Sequence, residues 1–256
     1  MAAHVNTQSD TPPHGRALNL LRGLWISVAL LYGLVFVIGL PPLIRQYNAL
    51  TGIALQMGFQ EWQTEDLRAA LQATGLSVGA WTAMRLAAEL LTTLGFVGLG
   101  LALFLRRSND RIALFTSLFL VTFGIVSSNS ISSLRVEYAN LAGWLGLIVG
   151  LPWIGFYVFF YTFPDGRFVP RWTAVWGPII LLVFMASASS AESTPTWLIF
   201  GLLAMTFLSA LFAQVYRYAR VSNATQRAQA RWVVFAIAVI ALGELIGQGL
   251  LPVVFP

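Results

Sequence analysis

Two acids, Glu89 and Glu244, lie inside otherwise apolar runs. A carboxylate there is costly enough that it must face protein, water or a ligand rather than lipid. Counting from Trp81 puts Glu89 about 12 Å below one edge of its run, and counting back from Pro252 puts Glu244 at about the same depth. Gln248 lies one turn further out, and Ser128 and Asn129 close a third apolar run at a similar level. Glu89, Ser128, Asn129, Glu244 and Gln248 therefore form a candidate signal pocket open to the outside, with Trp144 or Trp153 as its floor. The plainer alternative is that Glu89 pairs with Arg85 one turn away and snorkels, while Glu244 stays protonated and bonds to a neighbouring backbone group.

The remaining catalytic inventory is nearly empty. No HExxH, GxSxG, P-loop or GxGxxG pattern occurs, and no His or Asp pair stands at helical spacing within an apolar run. Cysteine is absent, which removes disulfides, thiol nucleophiles and thiolate-bound metals. His4 and His14 are the only histidines, and they sit in a polar N-terminal stretch that reads as solvated tail rather than as a metal pair. Asp165 is explained by turn formation without proton transfer. The expectation is a non-catalytic chain with no cofactor and no metal.

The elements that position these residues are arranged around 141–176, where one apolar run strikes a charged turn and a second begins at once. The stretch 141–163 carries no charge, and at about 1.5 Å per residue it is long enough for a hydrocarbon core of about 30 Å. Pro164, Asp165 and Gly166 suit a tight turn, since proline presets φ, aspartate bonds back to turn amides and glycine accepts positive φ. Arg167 and Arg171 mark the turn as cytoplasmic, and Tyr161, Trp172 and Trp176 are expected at headgroup depth.

Composition agrees with a membrane protein: 57% of residues are hydrophobic, 10% are charged, and mean hydropathy is +0.75. The net charge of +5 comes with fifteen basic residues that are all arginines, spread through short loops without a basic block. Positive-inside anchoring accounts for that charge, and a nucleic-acid partner is not implied.

In chain order, 1–17 reads as a disordered cytoplasmic tail. The apolar run 23–40 reads as an uncleaved anchor, because Pro41-Pro42 stands where a cleavage site needs small residues. An extracytoplasmic loop spans about 43–80, within which Thr64 can cap a short helix closed by Gly75, with Leu67, Ala70 and Leu71 as its apolar stripe. Further spans follow at 78–105, 112–131, 141–163, from Trp172, 197–216 and 232–253, with a three-arginine turn at Arg106, Arg107 and Arg111. This assigns Arg16, Arg22, Arg106, Arg107, Arg111, Arg167, Arg171, Arg217, Arg220, Arg227 and Arg231 to the inside, and Arg45, Arg68, Arg85 and Arg135 to the outside. The fold class is all-α: a polytopic helical bundle of about seven transmembrane helices occupying 18–256, N-terminus cytoplasmic, multi-pass in the inner (plasma) membrane. Gly146/Gly150 and Gly243/Gly247 have GxxxG spacing, which serves close helix packing or a homodimer interface.

Asp165, Arg167, Arg171, Arg217, Arg220, Arg227 and Arg231 are candidate cytoplasmic coupling residues; the alternative for the arginines between 217 and 232 is simple anchoring. Three stretches carry a resemblance: Arg106-Arg107-Ser-Asn-Asp-Arg-Ile-Ala-Leu with the run after it, Phe163-Pro-Asp-Gly-Arg-Phe-Val-Pro-Arg-Trp172, and Gln226-Arg-Ala-Gln-Ala-Arg-Trp-Val-Val-Phe235. In this order they resemble the N-terminal multi-helix membrane region of certain bacterial sensor histidine kinases. The resemblance implies a sensory module passing a signal to a cytoplasmic kinase or response regulator. The chain departs from such kinases in having neither the phosphoacceptor-histidine helix pair nor an ATP-binding domain, so kinase chemistry is not implied for these residues. Its last residues, Leu-Pro-Val-Val-Phe-Pro, read as the end of a span with more chain to follow. A small-solute transporter or channel, which calls for a broken helix, a repeat or mid-membrane charges, is the rival reading. A structural membrane protein is the third.

Overall fold

The computed structural model describes residues 15–50, 64–163, 166–189 and 196–220. All regular elements among these residues are helical: α1 (Gly15–Ala49), α2 (Thr64–Thr74), α3 (Val78–Arg107), α4 (Arg111–Val126), α5 (Ser130–Glu137), α6 (Ala142–Thr162, preceded by a 3-10 turn at Ala139–Leu141), α7 (Thr173–Ser189) and α8 (Thr196–Arg220). Three of them, α1, α3 and α6 with its leading turn, are long and apolar enough to cross a membrane; α4 and α5, bent by 54° at their junction, make a fourth if counted as one span. Leu24, Leu34 and Val37 on α1, Leu91, Leu94 and Leu99 on α3, and Leu147, Leu151 and Ile154 on α6 are exposed. Apolar surface on that scale suits lipid better than water. The expected seventh span, 232–253, and the tail residues 1–14 lie outside the described residues.

The centre of the bundle is α4, which is apolar on every side and packs against α3, α1 and α6. One polar turn fixes its start. Asp110 caps its N-terminus by accepting from the Ile112 amide at 2.8 Å, and Arg22 of α1 donates to Asn109 in the same turn at 2.6 Å. Close approach among the described helices uses further glycines beside the expected Gly146/Gly150, and Gly243/Gly247 lies outside the described residues. A Cβ on Gly100 of α3 would meet Val121 Cγ2 at 2.6 Å and the Ser117 carbonyl at 2.8 Å, and Gly124 of α4 and Gly39 of α1 similarly make room for Phe96 and Ser130. Gly150 is buried, but Gly146 has only an Arg135 side-chain atom, at 4.0 Å.

Buried polar groups within the bundle are matched across helices. Trp25 Nε1 donates to Ser117 Oγ at 2.7 Å, and Thr93 Oγ1 donates to the Gly124 carbonyl at 3.2 Å. Pro152, inside α6, has no N–H to give to the Ile148 carbonyl one turn back. The Tyr32 hydroxyl of α1 donates to that carbonyl instead, at 2.7 Å. Tyr32→Phe should therefore lower stability by about 1 kcal/mol, and by much less in a Pro152→Ala background, where the new amide can take over. Thermal unfolding of the four proteins in detergent measures the cycle; equal losses in both backgrounds would mean the hydroxyl is not compensating for the proline.

Three expectations change. The first helix does not end at Pro41-Pro42 but continues to Ala49, so the loop starts later than residue 43. The added turns are held by Leu43 and Tyr47, both 1% exposed, and by Gln46, whose side-chain amide donates to the Ser133 carbonyl at 3.3 Å. The third run is not one straight helix, because Ser127 and Ser128 turn their hydroxyls onto the Phe123 and Ile125 carbonyls at 2.8 Å each and α4 stops there. Finally, α8 runs past Tyr216 to Arg220, so Arg217 belongs to a helix rather than to a loop.

Candidate functional site

At the break between α4 and α5, three helices converge on one carboxylate. Glu89 of α3 accepts a hydrogen bond from the Tyr47 hydroxyl of α1, another from Asn129 Nδ2 at 2.8 Å, and a third from the Asn129 backbone amide at 3.2 Å. Asn129 Nδ2 also lies 3.1 Å from the Tyr47 oxygen. The Asn129 amide is available because the helix has stopped, and a carboxylate at the start of α5 meets the positive end of that helix. Arg85 stands 4.0 Å from Glu89 Oε1 and 5.9 Å from the centre of the Tyr47 ring. Its distance makes it the weaker partner, so the simple Arg85–Glu89 pair is only part of what holds Glu89. Thr82 Oγ1 and Arg85 Nε, on the same α3 face, are buried and have no hydrogen-bond partner among the described residues.

The amphipathic helix α2 covers this end. Leu67 and Leu71 pack with Leu43, Tyr47, Leu50 and Trp81, and the Trp81 ring meets Tyr47 edge-on at 5.5 Å. Gly75 closes α2 as expected: at φ +69 it donates to the Gln72 carbonyl at 3.1 Å while the Leu76 amide reaches Leu71 at 3.0 Å. Arg45 and Glu137 add an ion pair of 2.6 Å between the ends of α1 and α5.

Of the expected pocket residues, Glu89 and Asn129 are in direct contact. Ser128 is adjacent, its hydroxyl directed to the Ile125 carbonyl and to Ser130 Oγ at 2.8 Å rather than to Glu89. Glu244 and Gln248 lie outside the described residues. Trp144 is 72% exposed and closes no floor, and Trp153 packs edge-on against Phe123 at 5.5 Å in the aromatic core. Tyr47 was absent from the expected set because it falls beyond the two prolines. Its spacing four residues after Leu43 was the available signal that the helix continued.

At the other end, α6 runs into the turn at 166–172. Gly166 has φ +74, as the turn chemistry requires, and lies beside Ile112, which brings this turn to the three-arginine turn. The carbonyls at the end of α6 lack helical donors, and α8 provides them. Gln214 Nε2 donates to the Phe160 carbonyl at 2.5 Å and to that of Phe163 at 3.1 Å, while Arg217 donates to the Tyr161 carbonyl at 3.1 Å and to the Arg167 carbonyl. Arg217 is 1% exposed. It is a structural clamp on the turn, unlike Arg167, Arg171 and Arg220, which are exposed. Tyr161 is likewise 1% exposed, with its hydroxyl against Ser209 of α8, so its ring faces protein rather than lipid; Trp172 and Trp176 are exposed. Asp165, Arg227 and Arg231 lie outside the described residues. An i, i+3 pair of Gln214 and Arg217 near the end of an apolar run was the signal for this clamp.

Among the described residues, no three His, Cys, Asp or Glu side chains converge as metal ligands. The fold and site thus define an all-helical bundle, compatible with a membrane protein, with a tethered carboxylate at one end and a clamped arginine turn at the other. No family model, curated protein or solved structure matches the chain.

Proposed function

We propose that the chain is the sensory, signal-coupling membrane module of a two-component system, non-catalytic by itself, which acts on a cytoplasmic kinase or response regulator. In this reading it crosses the inner membrane about seven times from a cytoplasmic N-terminus, with Tyr47, Glu89 and Asn129 at the outer end and the arginine turns inside. The observation that carries it is the Glu89 network. It joins α1, α3 and the α4–α5 junction through one titratable group, so a ligand that competes for Glu89 changes how three helices are held. Thr82 and Arg85 offer that ligand unused hydrogen-bonding groups.

Glu89→Gln tests the reading in the kinase-coupled full-length system, with kinase output and thermal stability in detergent measured together. The expected result is lost response with most of the stability kept. A parental response would remove Glu89 from signal detection. Reporter fusions at both termini test the orientation, and a cytoplasmic reporter after Pro256 would mean that one proposed span is wrong.

A specific observation also favours the rival reading. The bent α4–α5 pair is a broken helix with a half-buried carboxylate and an unwound polar stretch beside it, the arrangement used by small-solute transporters. Solute uptake into proteoliposomes that was abolished by Glu89→Gln would replace the sensor with a transporter.

A further inference from the structure

Residues 166–171 and Tyr216 line an open depression at the arginine-rich end. Arg167 and Arg171 are exposed on it, and the described residues nearby add Arg106, Arg107, Arg111 and Arg220. Against these six arginines the sequence of the two turns sets only two acids, Asp110 and Asp165. The surrounding field therefore favours an anion.

An exposed apolar strip adjoins the depression at Tyr216. Trp172 of the turn and Phe212 of α8 have ring centres 6.1 Å apart, and Phe212 stacks with Tyr216 at 6.3 Å. Val175 and Leu208 extend this exposed strip along α7 and α8. A free phosphate would use only the arginines, and an acidic peptide would leave the strip uncovered. A molecule with an anionic head and an apolar tail satisfies both parts.

We propose that this site binds an anionic phospholipid, its phosphodiester at Arg167 and Arg171, its ester region beside Trp172 and Tyr216, and an acyl chain along Phe212, Val175 and Leu208. Guanidinium groups suit a phosphodiester because they offer several donors in a planar fork, and aromatic rings with a polar edge suit the headgroup boundary. The site is independent of the sensor reading, since a transporter or a structural protein could carry it equally.

The test uses the full chain purified in a neutral detergent, with phosphatidylglycerol or phosphatidylcholine added in parallel. Bound lipid is counted by native mass spectrometry, and the thermal midpoint is followed. The parent should prefer phosphatidylglycerol by about tenfold or more, and Arg167→Gln with Arg171→Gln should reduce the preference to about twofold. Arg106→Gln with Arg107→Gln, which weakens the surrounding field without touching the depression, should keep at least half of it. An equal loss in this control would show diffuse attraction to the arginine-rich end and overturn the site. Stabilisation by inorganic phosphate equal to that by phosphatidylglycerol would overturn the lipid assignment in favour of a free anion. If the double variant does not fold, Arg171→Gln alone should lower the preference at least threefold, and an unchanged preference would overturn the proposal.

Discussion

Replacing Glu89 with alanine is expected to lower stability by about 3 kcal/mol, the largest single effect at the Tyr47 end. The substitution strands the Tyr47 O–H and the Asn129 backbone N–H and leaves the Asn129 side-chain amide only its bond to the Tyr47 oxygen, and each unpaired buried donor costs about 1–3 kcal/mol before relaxation. Access of water to this end keeps the sum near the lower limit. For a chain of this size the loss corresponds to a fall in the thermal midpoint of roughly 6–12 °C. Glu89→Gln keeps the shape and one acceptor oxygen, so it should lose about half as much. Tyr47→Phe combined with Glu89→Ala should cost less than the sum of the single losses, because both remove the same hydrogen bond. Strict additivity would mean that Tyr47 and Glu89 stabilise the bundle independently.

Arg217→Met should be the most damaging change at the opposite end, at about 2–4 kcal/mol, because it removes the donor shared by the Tyr161 and Arg167 carbonyls in a buried setting. Arg217→Lys should recover only part of the loss, since an ammonium group cannot span two carbonyls as a guanidinium fork does. The turn itself reports the effect. Trypsin cuts after arginine, and cleavage after Arg167 and Arg171 should accelerate several-fold in Arg217→Met while the three-arginine turn at 106–111 keeps its parental rate. If both turns became equally susceptible, the residue would be supporting the whole bundle rather than clamping one turn.

The legible parts of the sequence were those governed by hydropathy and by turn chemistry. The long uncharged runs, the start of a helix at Thr64 and the glycines of the turns at 75 and 166 each follow from a local rule, and the helices obey them. The destination of Glu89 was half legible. Its cost in an apolar run pointed to a polar neighbour, and the polar close of the third run supplied Asn129. Tyr47 was hidden because two consecutive prolines normally argue for a helix end, whereas here packing of Leu43 and Tyr47 outweighs the missing amides. Arg217 was hidden for a different reason. An arginine after an apolar run reads as an interfacial anchor, and only the parallel placement of α8 beside α6, C-terminal end against C-terminal end, reveals that it faces orphaned carbonyls.

The helix contacts also divide the glycines into two groups with different evolutionary freedom. Gly39, Gly100 and Gly124 stand where a neighbouring helix occupies the space of a side chain, so drift at these positions requires a compensating change in the partner helix. Gly95 and Gly98, on the same α3 helix as Gly100, have no foreign atom of the described residues within 4 Å of a potential Cβ. Alanine at either would gain up to about 1 kcal/mol of helix propensity without collision. A single helix thus carries a fixed position within two residues of an adjustable one, and divergent sequences of this fold can be aligned on the first while thermal adaptation works on the second.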